Sequence, residues 1–182
     1  DVRNVIRQTY AFQTGPSKRW PDICYHFMVG PDGSVWETRA GSLAGPVVAD
    51  ATGGNQGFGQ LVCLIGDFTA QAPTPAAQES LMRTLIFLAD RYDIDTDPAA
   101  TTTFVSRGSN KFAAGTTITT PTISGHRDVT YTACPGELGY TLLGAKTKCT
   151  SPGAQGLEID FFSGKAMDLH FAETHVYISG RS

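Results

Sequence analysis

One histidine and one cysteine in the segment GHRDVTYTACPG have the residue types of metal ligands. His126 and Cys134 lie eight positions apart, and Pro135-Gly136 directly after the cysteine favours a turn. Imidazole nitrogen and thiolate sulfur both bind zinc well, and a hydrolytic zinc needs three protein ligands and one position left open for water. The spacing of the pair alone does not distinguish a metal site from a structural or incidental one.

The segments before this pair predict alternating helices and strands. Val2, Val5, Ile6 and Tyr10 recur at helical spacing and predict an amphipathic opening helix. The runs ICYHFMV and SVWET, joined by the turn sequence GPDG, predict a β-hairpin. LVCLIG predicts a short buried strand in which Cys63 is a buried thiol. This alternation favours an α/β domain.

The remaining segments predict one long helix and two irregular stretches. Thr74-Pro75 is typical of a helix N-cap followed by proline in the first turn, and apolar residues continue on one face as far as Tyr92. The glycine-rich stretch 40–60 predicts a long loop, and loops of that length are often functional. Residues 98–121 predict an irregular insertion with one short strand at TTITT, and ELGYTLLG predicts a short closing helix.

Composition excludes several classes of partner. The 182 residues carry a formal net charge of −3, without the Lys/Arg cluster that binding to nucleic acid or an anionic membrane requires. No apolar run is long enough to cross a bilayer. Four cysteines are too few for a disulfide scaffold, although Cys24 and Cys149 could pair in an oxidising compartment. We expect one domain over residues 1–148, and a linker and tail of unassigned role over 149–182.

Four segments, in order along the chain, resemble the peptidoglycan recognition protein and type 2 N-acetylmuramoyl-L-alanine amidase family, which includes the phage T7-type lysozymes. They are WPDICYHFMVGPDGSVWETRAG, LVCLIGDF, PTPAAQESLMRTLIFLADRY and GHRDVTYTACPG. The resemblance runs from about Val2 to about Leu143, and the threonine-rich stretch before His126 is similar to that of longer bacterial members. It implies a central mixed β-sheet flanked by helices, with a short C-terminal appendage.

The resemblance also implies a zinc-dependent reaction. His126 and Cys134 correspond to the second and third Zn²⁺ ligands of the family, and Tyr25 and Thr132 to residues that assist catalysis. The bond hydrolysed would be the amide between the lactyl group of muramic acid and L-Ala. The partners would be peptidoglycan or muropeptides, and the location secreted or in the cell envelope. Taken alone, Tyr25 also fits a core aromatic and Thr132 a turn residue.

Other polar residues near these segments fit structural roles. His26 alternates with Tyr25 along a strand, so a packed or surface role fits it better than a place at the metal. Glu37 and Arg39 match the E-x-R of the family, or are a solvated strand end. Asp128 is a candidate for orienting a neighbouring group by a hydrogen bond.

Two departures from the family pattern limit the prediction. The family's first zinc ligand is a histidine that ends a strand before the opening helix, and no histidine precedes His26. We expect that strand upstream of Asp1 in a longer precursor, or absent; His170 or His175 in the tail could supply a replacement ligand. Ala51 stands where family members often carry a groove histidine.

These departures leave alternative functions open. The chain could be a recognition module that keeps the peptidoglycan groove without hydrolysis, or a structural envelope protein. A Cys-His nucleophile at Cys134 is a further alternative, although no separate base stands out for it.

Overall fold

The computed structural model describes residues 1–134 and, beyond them, the backbone of four short segments, residues 148–149, 157–158, 164–166 and 169–177. Helix α1 (Val2–Thr14) opens the chain, as predicted. The Asp1 side chain caps it by accepting a hydrogen bond of 3.0 Å from the Arg3 backbone N–H. Such a cap satisfies one of the amide groups that a helix leaves unpaired at its start.

The predicted hairpin is present, with shorter strands than the apolar runs suggest. Strands β1 (Phe27–Val29) and β2 (Val35–Glu37) pair antiparallel across the turn. Gly33 has a φ of 82°, a left-handed conformation that glycine adopts at little cost. The Ser34 hydroxyl and backbone N–H donate to the Asp32 carboxylate and lower the pKa of Asp32 below 3.8.

Strand β3 (Gly59–Ile65) is buried along its whole length. Its side chains alternate between two apolar clusters, as the period of a strand requires. Val62 and Leu64 pack with helix α2 (Pro75–Tyr92), whereas Leu61 and Cys63 lie in the cluster on which α1 packs. A strand covered on both faces is typically a continuous apolar run, which explains why LVCLIG lacks alternation. The Thr74 hydroxyl caps α2 by accepting from the Ala77 N–H at 3.1 Å, as predicted.

The threonine-rich insertion is more regular than predicted. Strands β4 (Thr101–Val105) and β5 (Thr117–Pro121) form an antiparallel hairpin, of which the sequence predicted only the second strand. Both strands alternate exposed and buried residues, with Phe104 and Ile118 on the buried face. The prediction missed β4 because most of its alternating positions are threonines, which weakens the contrast between the two faces.

The main sheet has the order β2-β1-β3-β10-β6, with β9 (Gly164–Ala166) paired to β10. Strand β6 (Ile123–Gly125) runs into the short helix α3 (His126–Val129), and β10 (Leu169–Tyr177) lies antiparallel to both β3 and β6. Strands β7 (Lys148–Cys149) and β8 (Leu157–Glu158) pair with each other. Strand β1 pairs parallel with β3, so the sheet is mixed; helices flank it, as predicted. The boundary at residue 148 stays a prediction, and ELGYTLLG lies outside the described residues.

Candidate functional site

His126 is placed by the junction between β6 and α3. Strand β6 ends at Gly125, and His126 is the first residue of the helix. The Asp128 carboxylate accepts a hydrogen bond of 2.7 Å from the Gly125 N–H and so caps this turn. Asp128 thereby orients the backbone directly before His126, which agrees with the orienting role predicted for it.

Cys134 is brought back to the same turn by Arg127. The Arg127 side chain donates to the backbone oxygens of Cys134 (3.1 Å) and Ala133 (3.0 Å). Cys134 itself is buried, with 5% of its surface exposed. The two predicted metal ligands thus belong to one structural unit, residues 126–134, which we call the site loop. No sequence pattern marks Arg127 for this role, although it directly follows His126.

Thr132 shapes the end of the site loop. Its hydroxyl oxygen accepts a hydrogen bond of 3.1 Å from the Cys134 N–H. This contact is a side-chain turn of the kind expected of a turn-forming threonine. The hydroxyl proton is not used in this bond, so Thr132 can still donate to another oxygen.

A second segment, residues 106–112, holds the site loop by hydrogen bonds and is here called the support loop. Ser109 donates its hydroxyl to the Val129 carbonyl (3.0 Å), and the Asn110 amide makes two 2.8 Å bonds to the Tyr131 backbone. Lys111 donates to the Arg127 and Asp128 carbonyls at 2.7 and 3.0 Å. A cation beside the last carbonyls of a helix is favourable. No sequence signal indicates these residues, since only tertiary contacts connect the two loops.

Tyr25 lies on the α1 side of the sheet, immediately before β1. It is buried, with 4% of its surface exposed, in the cluster that contains Leu61 and Cys63. Strands β3 and β10 separate β1 from β6, so Tyr25 approaches the sheet from a different strand than His126. The core-aromatic interpretation agrees with this burial, and the catalytic role of Tyr25 stays a prediction.

His26 is a packed histidine, as predicted. It is fully buried, and its Nδ1 accepts a hydrogen bond of 2.8 Å from the Leu61 N–H. Since Nδ1 is an acceptor, the ring carries its proton on Nε2, which donates to the Val47 carbonyl at 2.8 Å. His26 thereby connects the long loop to the first residues of β3.

The E-x-R pair also has structural partners. Arg39 forms an ion pair of 3.0 Å with Asp50 and donates to the Ile23 carbonyl at 2.7 Å. Glu37 accepts a bond of 2.8 Å from the Leu43 N–H. These contacts hold the first half of the long loop, at Leu43 and Asp50, so the solvated strand end expected as the alternative is wrong for Arg39. Ala51, where the family often has a histidine, is half-buried beside the α1 cluster.

The tail histidines remain predictions. In the register of β10, His175 pairs with Ser124 and Leu61, whereas His170 pairs with Lys165 of β9. The side chains of this strand and of Cys149 lie outside the described residues, so neither the replacement ligand nor the Cys24–Cys149 pairing is tested.

The donors of the site loop fit zinc by type. Imidazole nitrogen and thiolate sulfur are the ligands that zinc takes most often in proteins. Across the described residues, no three His, Cys, Asp or Glu side chains form a group that could hold a metal ion. A hydrolytic zinc needs three protein ligands, and His126 and Cys134 stay the two predicted ones within this part of the chain.

Comparison with known proteins identifies the family. Residues 4–137 match the profile of the N-acetylmuramoyl-L-alanine amidases, and the chain belongs to that family. It is 34% identical over 125 residues to the N-acetylmuramoyl-L-alanine amidase of Homo sapiens and 32% identical over 124 residues to that of Sus scrofa. Each match covers 68% of this chain but only 17% and 16% of the relatives, so the chain spans about one sixth of their length.

Two solved structures share the fold. Drosophila peptidoglycan recognition protein SD has a TM-score of 0.57 at 22% identity, over 87% of this chain and 76% of that one. Human PGRP-IBETAC, in complex with glycosamyl muramyl pentapeptide, has a TM-score of 0.54 at 24% identity, over 79% and 70% of the two chains. The predicted α/β fold of this family is thereby confirmed. Within the described residues, no helix has the length and apolar character needed to cross a bilayer.

Proposed function

We propose that the chain hydrolyses the amide between the lactyl group of muramic acid and L-Ala in peptidoglycan or its muropeptides. The observation that carries the proposal is the site loop of an amidase-family chain, in which Arg127 joins the Cys134 end of the loop to the helix that begins at His126. A loop held in this way presents a nitrogen and a sulfur donor from one small unit, which is what a preorganised metal site requires.

In this proposal His126 and Cys134 hold zinc, together with a third donor from outside the described residues. When bound, zinc would supply a Lewis acid for the scissile carbonyl and lower the pKa of water. Removal of one donor from such a site lowers metal affinity strongly, so zinc content is the first quantity to measure.

Thr132 and Tyr25 would act on the substrate oxygen. The Thr132 hydroxyl keeps its proton available beside Cys134, because its oxygen is the acceptor for the Cys134 N–H. A hydroxyl aimed at the tetrahedral oxygen stabilises the transition state without adding charge. The Tyr25 phenol would orient the attacking water or donate to the same oxygen.

The test is the appearance of a new amino terminus. The zinc-loaded chain, with any upstream segment of its precursor, is incubated with muropeptides, and L-Ala amino termini are measured. We expect cleavage by the wild type and by Thr132→Ser, and loss of about 10²–10³ in kcat for Thr132→Val, which keeps the shape without the donor. Without a new L-Ala amino terminus, the hydrolytic proposal fails.

A second candidate is a recognition module that binds peptidoglycan without cleaving it. Two observations favour it: the described residues contribute two metal donors, and Ala51 replaces the groove histidine. A metal-free chain that co-sediments with cell walls and leaves muropeptides intact would support this function. One mole of zinc per chain with cleavage would support the enzyme.

Either function places the chain where peptidoglycan is found. We therefore propose that the protein is secreted or held in the cell envelope. Fractionation of producing cells tests this, and recovery of the full-length protein only in the cytoplasmic fraction would contradict it.

A further inference from the structure

An exposed arginine of the support loop is stacked on an aromatic ring of the glycine-rich loop. The Arg107 guanidinium carbon lies 4.8 Å from the centroid of the Phe58 ring. Phe58 is itself stacked on Phe104 at 4.7 Å. Gly57 leaves room for this contact, because a Cβ there would come within 3.1 Å of Arg107 Nη1. The ring therefore has a fixed position, and the guanidinium takes its orientation from the ring.

The backbone that carries Arg107 is also held. The Arg107 N–H donates to the side chain of Asn55 at 3.1 Å, and Asn55 is completely buried. The Gly54 N–H donates to the Gly108 carbonyl at 2.7 Å. At Gly54 the two loops touch so closely that a Cβ would lie 2.6 Å from the Arg107 backbone. The arginine is thus presented by two interlocked loops and loses little further freedom when it binds a ligand.

The charge of Arg107 is not neutralised within the described part of the chain. There, no ion pair within 4.0 Å joins a carboxylate to Arg107. A guanidinium that lies over a ring face leaves the N–H groups at its edge available to other acceptors. This geometry matches the two oxygens of a carboxylate.

The position of Arg107 connects it to the site. It precedes by two and three residues Ser109 and Asn110, which bind the site loop at Val129 and Tyr131. A ligand that extends from the site loop across the support loop toward Phe58 would meet the Arg107 side chain. We propose that Arg107, stacked on Phe58, binds a carboxylate of the substrate's stem peptide. This inference rests on the proposed function, since it takes peptidoglycan fragments as the ligand.

The test compares two ligands that differ only in carboxylates. They are N-acetylmuramyl-L-Ala-γ-D-Glu-L-Lys with its carboxylates free, and the same compound with the D-Glu and C-terminal carboxylates amidated. Dissociation constants for the zinc-loaded chain are measured by calorimetry, and mass spectrometry checks that the ligand is intact; where it is cleaved, KM replaces Kd. We expect wild type to bind the free acid about tenfold more tightly, and less so at high salt.

The variants separate recognition from structure. In Arg107→Gln, affinity for the free acid falls to that for the amidated ligand, which itself binds as in wild type. Phe58→Leu gives a smaller loss, because the charge remains but the ring that orients it is gone. Arg3→Gln is the matched control, since Arg3 is also exposed and lies over an aromatic ring, 5.5 Å from the Trp36 centroid. We expect Arg3→Gln to keep the wild-type preference for the free acid over the amidated ligand.

Three outcomes overturn the inference. If the wild type binds the two ligands with equal affinity, Arg107 does not bind a carboxylate of the ligand. That result does not contradict the proposed function. An equal loss of both affinities in Arg107→Gln shows that the residue supports the loops rather than the ligand. If wild type binds neither ligand, the proposed function fails and the inference fails with it.

Discussion

The replacement of His26 by alanine tests the packing that holds the long loop against the sheet. His26 is buried between two backbone groups: it accepts from the Leu61 N–H and donates to the Val47 carbonyl, both at 2.8 Å. Leu61 lies in β3, which is buried along its whole length, and is 1% exposed. No water can replace the ring nitrogen at that amide without entering the core.

The cost of the substitution follows from these contacts. A buried amide left without an acceptor costs about 1–3 kcal/mol. Loss of the hydrogen bond to the half-buried Val47 carbonyl costs less, about 1 kcal/mol, because water can reach that oxygen. The cavity left by the imidazole adds about 1–2 kcal/mol. We therefore expect His26→Ala to lower the free energy of unfolding by about 3–6 kcal/mol, a large part of the roughly 5–15 kcal/mol available to a domain.

The measurement is urea unfolding followed by circular dichroism. His26→Asn is the control, because the asparagine side-chain oxygen lies near the position of Nδ1 and can accept from Leu61. We expect it to recover about half of the loss. The reasoning is refuted if His26→Ala costs less than about 1 kcal/mol, or if asparagine costs as much as alanine.

Three further predictions concern the loops and the hairpin turn. Gly54→Ala places a methyl group 2.6 Å from the Arg107 backbone, and calorimetry should show a loss of about 2 kcal/mol, roughly 4–8 °C in Tm. Arg127→Met removes two donors to the site loop and should lower zinc affinity about 10–100-fold in competition with a chelator. In an NMR titration Asp32 should have a pKa below 3.8, and Ser34→Ala should raise it, because the hydroxyl favours the carboxylate. The stabilising contribution of Asp32 is then present above about pH 3.8 and is lost as the pH falls through the lower pKa of the folded state.

Each of these has an outcome that contradicts it. Gly45→Ala is the control for Gly54, since nothing lies within 4 Å of a Cβ at Gly45; equal effects at the two glycines would show that steric contact is not the cause. Unchanged zinc affinity in Arg127→Met would mean that Cys134 is positioned by other contacts. If the pKa of Asp32 is unchanged in Ser34→Ala, another donor is the cause of its low value.

The elements of the fold could be predicted where one local rule determines them. The N-cap at Thr74, the turn at Gly33 and the buried run of β3 each follow from steric or hydrogen-bonding preferences of a few neighbouring residues. Strand β4 could not be predicted in this way, because threonines on both faces remove the contrast between buried and exposed positions. The place of β10 between β3 and β6 depends on its pairing with β3, which lies more than a hundred residues earlier in the chain. No local pattern encodes such a pairing.

Within the site, the sequence indicated which residues have the right chemistry. His126 and Cys134 have donor types that suit zinc, and the surrounding motif placed the chain in its family. His26 could be assigned to packing because alternation along a strand separates it from Tyr25. The residues that hold the site loop had no such signal: serine, asparagine and lysine in the support loop are ordinary loop residues until their partners are known.

By itself, then, the sequence determined the family, helices α1 and α2, strands β1, β2, β3 and β5, and the two candidate donors. These depend on residue types and on spacings within one element, which the chain carries locally. The tertiary structure decided the tautomer of His26, the role of Arg127 in holding Cys134, and the stacking of Arg107 on Phe58. Each of these is a contact between residues brought together only by folding, where distance and burial rather than residue type determine which hydrogen bonds and charges are satisfied.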